Sequence, residues 1–250
     1  MKFKCILCGE CCSHIRGMIS EEDKNFLKEF AYGKLPLVQL EPVEKISFPL
    51  FDWEAKRFKE WQEEVKIDAK IKPSRAILDL NTNKAIIVTY FMDSDSCPFL
   101  KDNKCLIYDK RRAYICRLFP FNKGPFLKAN ETEMEFGSCP AIKDILKDMP
   151  NGSNEKISYL NKALPYELLN IVQHDLIAEW VNKTIIELMK SKKLRPAMNY
   201  PYNFLLKRIN NAEKIDFTDF LEGIGSIEKE RLIKRFDNNL DAKERLREYL

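Results

Sequence analysis

Residues 3–12 read FKCILCGECC, and this stretch holds four of the eight cysteines in the 250-residue chain. Thiolates at two-residue spacing are a strong sequence signal for a metal site. No cysteine lies beyond residue 139, so this chemistry is confined to the first part of the chain. All eight are therefore predicted metal ligands: Cys5, Cys8, Cys11, Cys12, Cys97, Cys105, Cys116 and Cys139.

The composition is that of a globular protein, with 45% hydrophobic and 32% charged residues. The formal net charge of +4 is too small to indicate a nucleic-acid or membrane partner unless the charge is strongly segregated, so neither partner is expected. The basic clusters at 110–112 and 192–195 are interpreted as solvated helix ends. The N-terminal residues lack the apolar segment of a signal peptide, and no stretch has the length of a membrane span.

We therefore expect a cytoplasmic protein, in which cysteines stay reduced and act as metal ligands. Four disulfides are the alternative only for a hyperthermophile source, whose cytosol does contain disulfides. Two histidines, His14 and His174, offer little for an acid–base or nucleophilic device, so no catalytic residue and no cofactor-binding residue other than the cysteines is assigned.

A cluster of turn-forming residues at 149–154 predicts a boundary in the chain. Residues 1–150 are predicted to form an α+β cysteine-cluster metal-binding domain with short β-hairpins and helices. Residues 151–250 are predicted to form a helical C-terminal domain or extension, with its longest amphipathic helix over 168–189.

The expected elements follow from local patterns. In chain order they are a helix headed by Ser20, a helix over 53–65 capped by Asp52, a hairpin of 75–80 with 85–91, a hairpin of 97–100 with 105–108, a short helix carrying Cys116 and capped by Asp109, a strand over 126–136, and helices over 141–148, 202–209 and 227–236.

Thiolates are soft donors that select zinc, copper(I) or iron–sulfur clusters. The Cys-x2-Cys-x2-Cys spacing resembles the bacterial ferredoxin run, which is completed by a Cys followed by Pro. Cys97 and Cys139 are each followed by Pro, so either could complete the set. Cys11 and Cys12 would point to opposite sides of an extended backbone, so we expect one in the main centre and the other in a second centre or as a free thiol. His14 is a candidate nitrogen ligand, with an ordinary polar role as the alternative.

Charged residues near the cysteines have two interpretations. Arg112 and Arg117 could lower neighbouring thiol pKa values, or one of them could form a surface ion pair with Asp109. Asp93 and Asp95 could bind a hard cation, but the Gly and Glu of a calcium loop are missing, which favours a solvated loop.

The sequence resembles the YkgJ-type cysteine-cluster family, the CxxCxxCC zinc- or iron-chelating domain. Besides the N-terminal motif, the matching segments are CPFL at 97–100, CLIYD at 105–109, Arg112, CRLFPF at 116–121 and CP at 139–140. The resemblance covers about residues 3–145 and departs at Ala113, where the family usually has Pro. It implies a chelated metal without deciding between zinc and iron. The flagellin lysine methylase, a distantly similar protein, is associated with an iron–sulfur cluster and methyl transfer.

Three functions stay open at this point. The first is an iron–sulfur protein, holding a four-iron, four-sulfide cluster, with a redox or cluster-dependent role. The second is a structural zinc module whose helical part binds a protein partner. The third is a cluster-dependent methyltransferase or oxidoreductase.

Overall fold

The computed structural model of this chain describes residues 2–18, 21, 25, 36–45, 47, 49–108, 112–121 and 136–249. Most of the predicted helix headed by Ser20 and most of the predicted strand over 126–136 lie outside these residues. So does Asp109, the predicted cap of the helix carrying Cys116, and Ala113 is the residue that caps this helix. Among the residues described, no helix is both long and apolar enough to cross a membrane.

The structure is a mixture of helices and small sheets, which confirms the predicted α+β class. The helices are α1 Glu10–Ser13, α2 Asp52–Val65, α3 Tyr114–Leu118, α4 Lys143–Lys147, α5 Ser153–Ala163, α6 Pro165–Lys190, α7 Tyr202–Asn211, α8 Phe217–Gly223, α9 Lys229–Asp237 and α10 Leu240–Tyr249. The strands are β1 Val38–Gln39, β2 Leu50–Phe51, β3 Ile71–Leu78, β4 Ala85–Met92, β5 Leu100–Lys101, β6 Lys104–Cys105 and β7 Lys214–Asp216.

The chain packs into two compact units that interleave along the sequence. The first unit comprises Met1–Ser13, Leu100–Val181 and Ile233–Leu250, and the second comprises His14–Phe99 and Asn182–Leu232. None of the four junctions between these segments falls at residue 150. The division into domains 1–150 and 151–250, as a statement about parts that fold independently, stays a prediction.

The second unit is built on an antiparallel sheet in the order β1-β3-β4-β2, with β7 parallel to β4. Strand β4 reads AIIVTYFM and is almost wholly buried, as a central strand with two covered faces requires. The tip of the β3–β4 hairpin is fixed by Asp79, whose carboxylate accepts hydrogen bonds from the backbone N–H groups of Asn81 and Thr82 at 3.2 and 3.1 Å. This hairpin confirms the predicted one, although β3 begins at Ile71, earlier than expected.

Two sequence predictions differ from the structure for reasons of turn geometry and long-range pairing. The second hairpin pairs only 100–101 with 104–105, because Asp102 and Asn103 both have positive φ and form a two-residue turn. The part after residue 150 is not wholly helical, because β7 joins the sheet through Ile215, which lies opposite Ile86. A three-residue strand of this kind has no periodicity that could be read locally.

The first unit has its own apolar core, formed by helices α3 to α6 and α10. Its fully buried members include Phe121, Leu160, Leu164 and Leu168. Phe3 and Cys139 pack against this cluster as partly buried residues. The core therefore reaches the segments that carry the cysteines.

Asp52 is the first residue of α2 and not its cap, a position that Phe51 takes. Its buried carboxylate accepts hydrogen bonds from the backbone N–H and the hydroxyl of Thr218 at 2.8 and 2.5 Å. Asp52 thereby joins the start of α2 to the start of α8. Burial raises the pKa of Asp52 to about 6, although the two hydrogen bonds from Thr218 oppose this shift.

This raised pKa predicts a pH-dependent stability. Asp52 binds its proton more tightly in the folded chain than in the unfolded chain, so stability falls as pH rises from about 4 to above 6. Relative to the Asp52→Asn variant, wild type should lose about 3 kcal/mol of unfolding free energy over this range. Urea unfolding at several pH values measures the difference, and Asp68→Asn, at an exposed aspartate, is the control. Parallel pH curves for wild type and Asp52→Asn would contradict the expectation.

Candidate metal centre

The N-terminal cysteines lie on an irregular loop that leads into a short helix. Leu7 and Gly9 have φ values of 56° and 78°, so the chain turns sharply between Cys5 and Cys8 and again after Cys8. The Gly9 carbonyl then accepts hydrogen bonds from the Cys12 N–H at 2.9 Å and the Ser13 hydroxyl at 3.0 Å. These bonds fix the start of α1, which carries the last two cysteines of the motif.

The loop is attached to the rest of the first unit at both ends. The Phe3 N–H donates to the carbonyl of Ala163 at 2.7 Å, at the end of α5. At the other end, a Cβ atom at Gly9 would lie 3.0 Å from Cδ1 of Leu100. The loop is thus held against β5 and the α5–α6 junction.

Replacing Gly9 by alanine should distort this loop. The added Cβ would force a residue with positive φ into a strained conformation, at a cost of about 1–2 kcal/mol, and would also press on Leu100. We expect a lower melting temperature and weaker metal retention. Gly223→Ala is the control, because no atom lies within 4 Å of its added Cβ. Equal behaviour of the two variants would show that the loop does not need the Gly9 conformation.

Five of the eight predicted ligands line one cavity of about 50 Å³ in the first unit. The cavity is large enough for several water-sized atoms. Its cysteines come from three segments: the N-terminal loop with α1, α3, and the residue before a 3-10 helix at Pro140–Ile142. They are Cys5, Cys8, Cys11, Cys116 and Cys139.

The other three predicted ligands differ in position. Cys12 and Cys105 belong to the first unit, and both are near enough for their charges to raise the pKa of Cys116. Cys97 is buried in the second unit. His14 is exposed and also belongs to the second unit. For all of them the ligand role stays a prediction.

The Cys11–Cys12 pair has a different backbone from the one we assumed. Both residues lie in α1, so their backbone is helical and not extended. Their sulfur atoms are 3.8 Å apart and do not point to opposite sides. Even so, only Cys11 is among the residues that line the cavity.

Burial is the largest cause of the raised pKa values of three thiols. It raises the pKa values of Cys105, Cys116 and Cys139, and most strongly that of Cys116. For Cys11 the hydrogen bond with Cys12 raises the pKa most, followed by burial. A metal that binds here therefore displaces protons, so its affinity should increase with pH.

Arg112 is the cation of the cavity. Its guanidinium group lies over the ring of Tyr108 at 4.3 Å and near that of Tyr166 at 6.0 Å, and its charge opposes the rise in pKa of Cys11 and Cys116. Arg117 instead lies over the ring of Tyr114 and holds the Arg112 carbonyl through a 2.7 Å hydrogen bond. Of the two predicted arginines, Arg112 is therefore the one beside the sulfur atoms.

A carboxylate that the sequence analysis missed also lines the cavity. Glu167 lies in the first turn of α6, between Leu164 and Leu168, which are both fully buried. Burial raises the pKa of Glu167 to about 7, against the opposing effects of its own backbone N–H and of Arg112. Nothing in the local sequence connects a glutamate in the C-terminal part with cysteines near the N-terminus.

The donor set suits a soft or borderline metal, because thiolates prefer zinc, copper(I) and iron–sulfur clusters. Among the described residues, no three Cys, His, Asp or Glu side chains already lie close enough to hold one metal ion. A single metal ion would therefore require these side chains to move closer together. The thiol groups that line the cavity are suitable metal ligands. Their present spacing indicates that the site would be completed only when the metal binds.

The alternative of a hard-cation site at 93–95 has no support. Arg16 forms ion pairs with both Asp93 and Asp95, and Lys72 binds Asp93 at 2.6 Å. These contacts already neutralise both carboxylates.

A cavity lined by five thiols on an α+β scaffold is what a cysteine-cluster metal-chelating protein would need. The CxxCxxCC family model, described as "Putative zinc- or iron-chelating domain", matches residues 4–140. This is more than half of the chain, and the chain belongs to that family. No curated protein and no solved structure matches the chain.

Proposed function

We propose that this protein is an iron–sulfur protein whose cluster has a redox or cluster-dependent role. The ligands would be Cys5, Cys8 and Cys11 from the N-terminal motif, with Cys139 as the fourth. The observation that carries the proposal is that Cys139, which is followed by Pro140, lines the same cavity as the three N-terminal sulfur atoms. This is the donor pattern of the bacterial ferredoxin run, with its last ligand supplied from a distant segment.

The position of Cys97 supports this choice of ligands. Cys97 is the other cysteine followed by proline, but it is not among the residues that line the cavity, whereas Cys139 is. Cys139 also packs against the first-unit core, which gives the fourth ligand a rigid support. Cys12, Cys105 and Cys116 then add thiols beyond the four that one cluster uses.

The surroundings suit a negatively charged sulfur-rich centre. Arg112 supplies a positive charge at the cavity, and its stacking on Tyr108 restricts its motion. A cluster bound there would supply one-electron transfer, with a potential set by charge, hydrogen bonds and exposure. Phe3, Ile6 and Phe119 line the same cavity and place apolar side chains beside the sulfur atoms.

Anaerobic purification tests the proposal. We expect a coloured protein with about four iron and four sulfide per chain, whose visible absorption decreases on reduction. A colourless protein that contains zinc but neither iron nor sulfide would overturn it.

A zinc module is the second candidate, because one distance favours it. Zn–S bonds of about 2.3 Å at a tetrahedral ion place two sulfur ligands about 3.8 Å apart. The sulfur atoms of Cys11 and Cys12 are separated by 3.8 Å. In this case the metal would hold the first unit together, and the helical part would bind a protein partner. The same metal and sulfide analysis separates the two candidates. No observation on the described residues favours methyl transfer.

A further inference from the structure

The charge of this chain is strongly segregated. Residues 188–212 contain six lysines and arginines and neither aspartate nor glutamate. Since the whole chain has a net charge of only +4, the remaining residues are net negative. The small net charge of the whole chain thus includes one strongly basic segment. A concentration of positive charge in one region is typical of a site that binds a polyanion.

Tertiary contacts gather this segment around the tip of the β3–β4 hairpin. The amide of Asn81 donates to the carbonyl of Lys192 at 3.0 Å, and the Leu80 N–H donates to the carbonyl of Arg195 at 2.8 Å. On the other side of the tip, Arg208 of α7 donates to the side chain of Asn83 at 2.5 Å. Basic residues that follow α6 and basic residues of α7 are thus brought to one place.

Tyr200, which lies just before α7, and Phe204 of α7 form an exposed aromatic pair. The rings of Tyr200 and Phe204 stack with centroids 5.4 Å apart and an interplanar angle of 23°, yet they are 45% and 46% exposed. Lys207 and Arg208 follow Phe204 by three and four residues, which places them on the same face of α7. Large exposed aromatic side chains beside positive charge are unusual on a surface that binds nothing.

These cations are also available. In the described part of the chain, Lys192, Lys193, Arg195 and Lys207 form no ion pair, whereas Lys84 pairs with Glu213 close to the same hairpin. Lysines at the end of a helix do interact favourably with its dipole. The helix dipole accounts for the presence of Lys192 and Lys193 after α6. It does not account for the exposed aromatic pair or for the basic face of α7.

We propose that this basic–aromatic surface binds single-stranded nucleic acid. The surface consists of Lys192, Lys193, Arg195, Tyr200, Phe204, Lys207 and Arg208. Its cations contact the phosphates, and the aromatic pair stacks against bases, which is the combination that proteins use for single strands without sequence preference. The surface belongs wholly to the second unit, so this inference does not depend on the metal.

Fluorescence anisotropy of labelled oligo(U) and oligo(dT) with the full chain tests the proposal. We expect micromolar affinity at low salt, with the logarithm of the association constant falling by about 0.7 per phosphate contact for each tenfold rise in salt. Tyr200→Ala with Phe204→Ala should weaken binding about fivefold or more without changing this slope. Lys192→Gln with Lys193→Gln should lower the slope by about 1.4.

Two controls and two competitors make the result decisive. Lys56→Gln with Lys70→Gln removes the same charge at other exposed positions of the second unit, and Leu240→Ala removes an exposed apolar side chain elsewhere; both should leave binding unchanged. The proposal is overturned if neither oligonucleotide binds, or if the aromatic variant binds as wild type does. It is also overturned if polyglutamate or phosphatidylserine vesicles bind as tightly as the oligonucleotides.

Discussion

Replacing Cys139 by serine is expected to prevent assembly of the metal centre, while replacing Cys97 by serine should leave it intact. Both cysteines precede a proline, so local sequence does not distinguish them. Cys139 lines the cavity with the N-terminal sulfur atoms, whereas Cys97 is not among the residues that line it. Iron, sulfide and zinc per chain, measured after anaerobic purification, should fall to near zero in Cys139→Ser and stay at the wild-type level in Cys97→Ser.

Circular dichroism of both variants shows whether they are folded. Serine at position 97 places a hydroxyl in the core, so some loss of stability is expected there without loss of metal. The opposite pattern, with metal lost in Cys97→Ser and kept in Cys139→Ser, would show that the ligand assignment is wrong.

Removing the metal should destabilise the first unit far more than the second. Metal binding to a thiolate site contributes on the order of 10 kcal/mol to the folded state, and that contribution is lost on chelation. Hydrogen exchange should therefore increase in 2–13 and 100–108. The hairpin over 71–92 should keep its protection, because its core consists of residues such as Ile77, Ile86 and Ile87, which need no metal.

The Cys139→Ser variant is the control for this experiment. If it contains no metal, the chelator should change its exchange pattern little, which separates metal loss from direct effects of the chelator. A uniform increase in exchange over both units, or none in either, would contradict the expected division.

Several elements could be predicted because they depend on local patterns. The hairpin of β3 and β4 follows from two β-branched runs around a turn, and the long helix α6 follows from its apolar periodicity. Other features depend on contacts distant in sequence. Strand β7 acquires its conformation by pairing with β4. Asp52 was predicted to cap a helix, but its carboxylate accepts a hydrogen bond from the hydroxyl of Thr218, which is distant in sequence.

The candidate site divides in the same way. The residue types and the spacing of the cysteines predicted a soft metal site, because ligand chemistry is a property of the side chain itself. We assumed an extended backbone for Cys11 and Cys12, but in the structure their backbone is helical. Glu167 could not be found from the sequence, because its place beside the sulfur atoms comes from the packing of α6.

The sequence by itself predicted a metal-chelating domain with clustered thiolates and a fold that mixes helices with small sheets. The tertiary structure alone decided that Cys139, and not Cys97, shares a cavity with the N-terminal motif. It also gathered basic residues that follow α6 and a basic residue of α7 around one hairpin tip. The physical reason is distance: donor identity and charge are local, but coordination and binding require side chains within a few ångströms, and only packing between remote segments sets those separations.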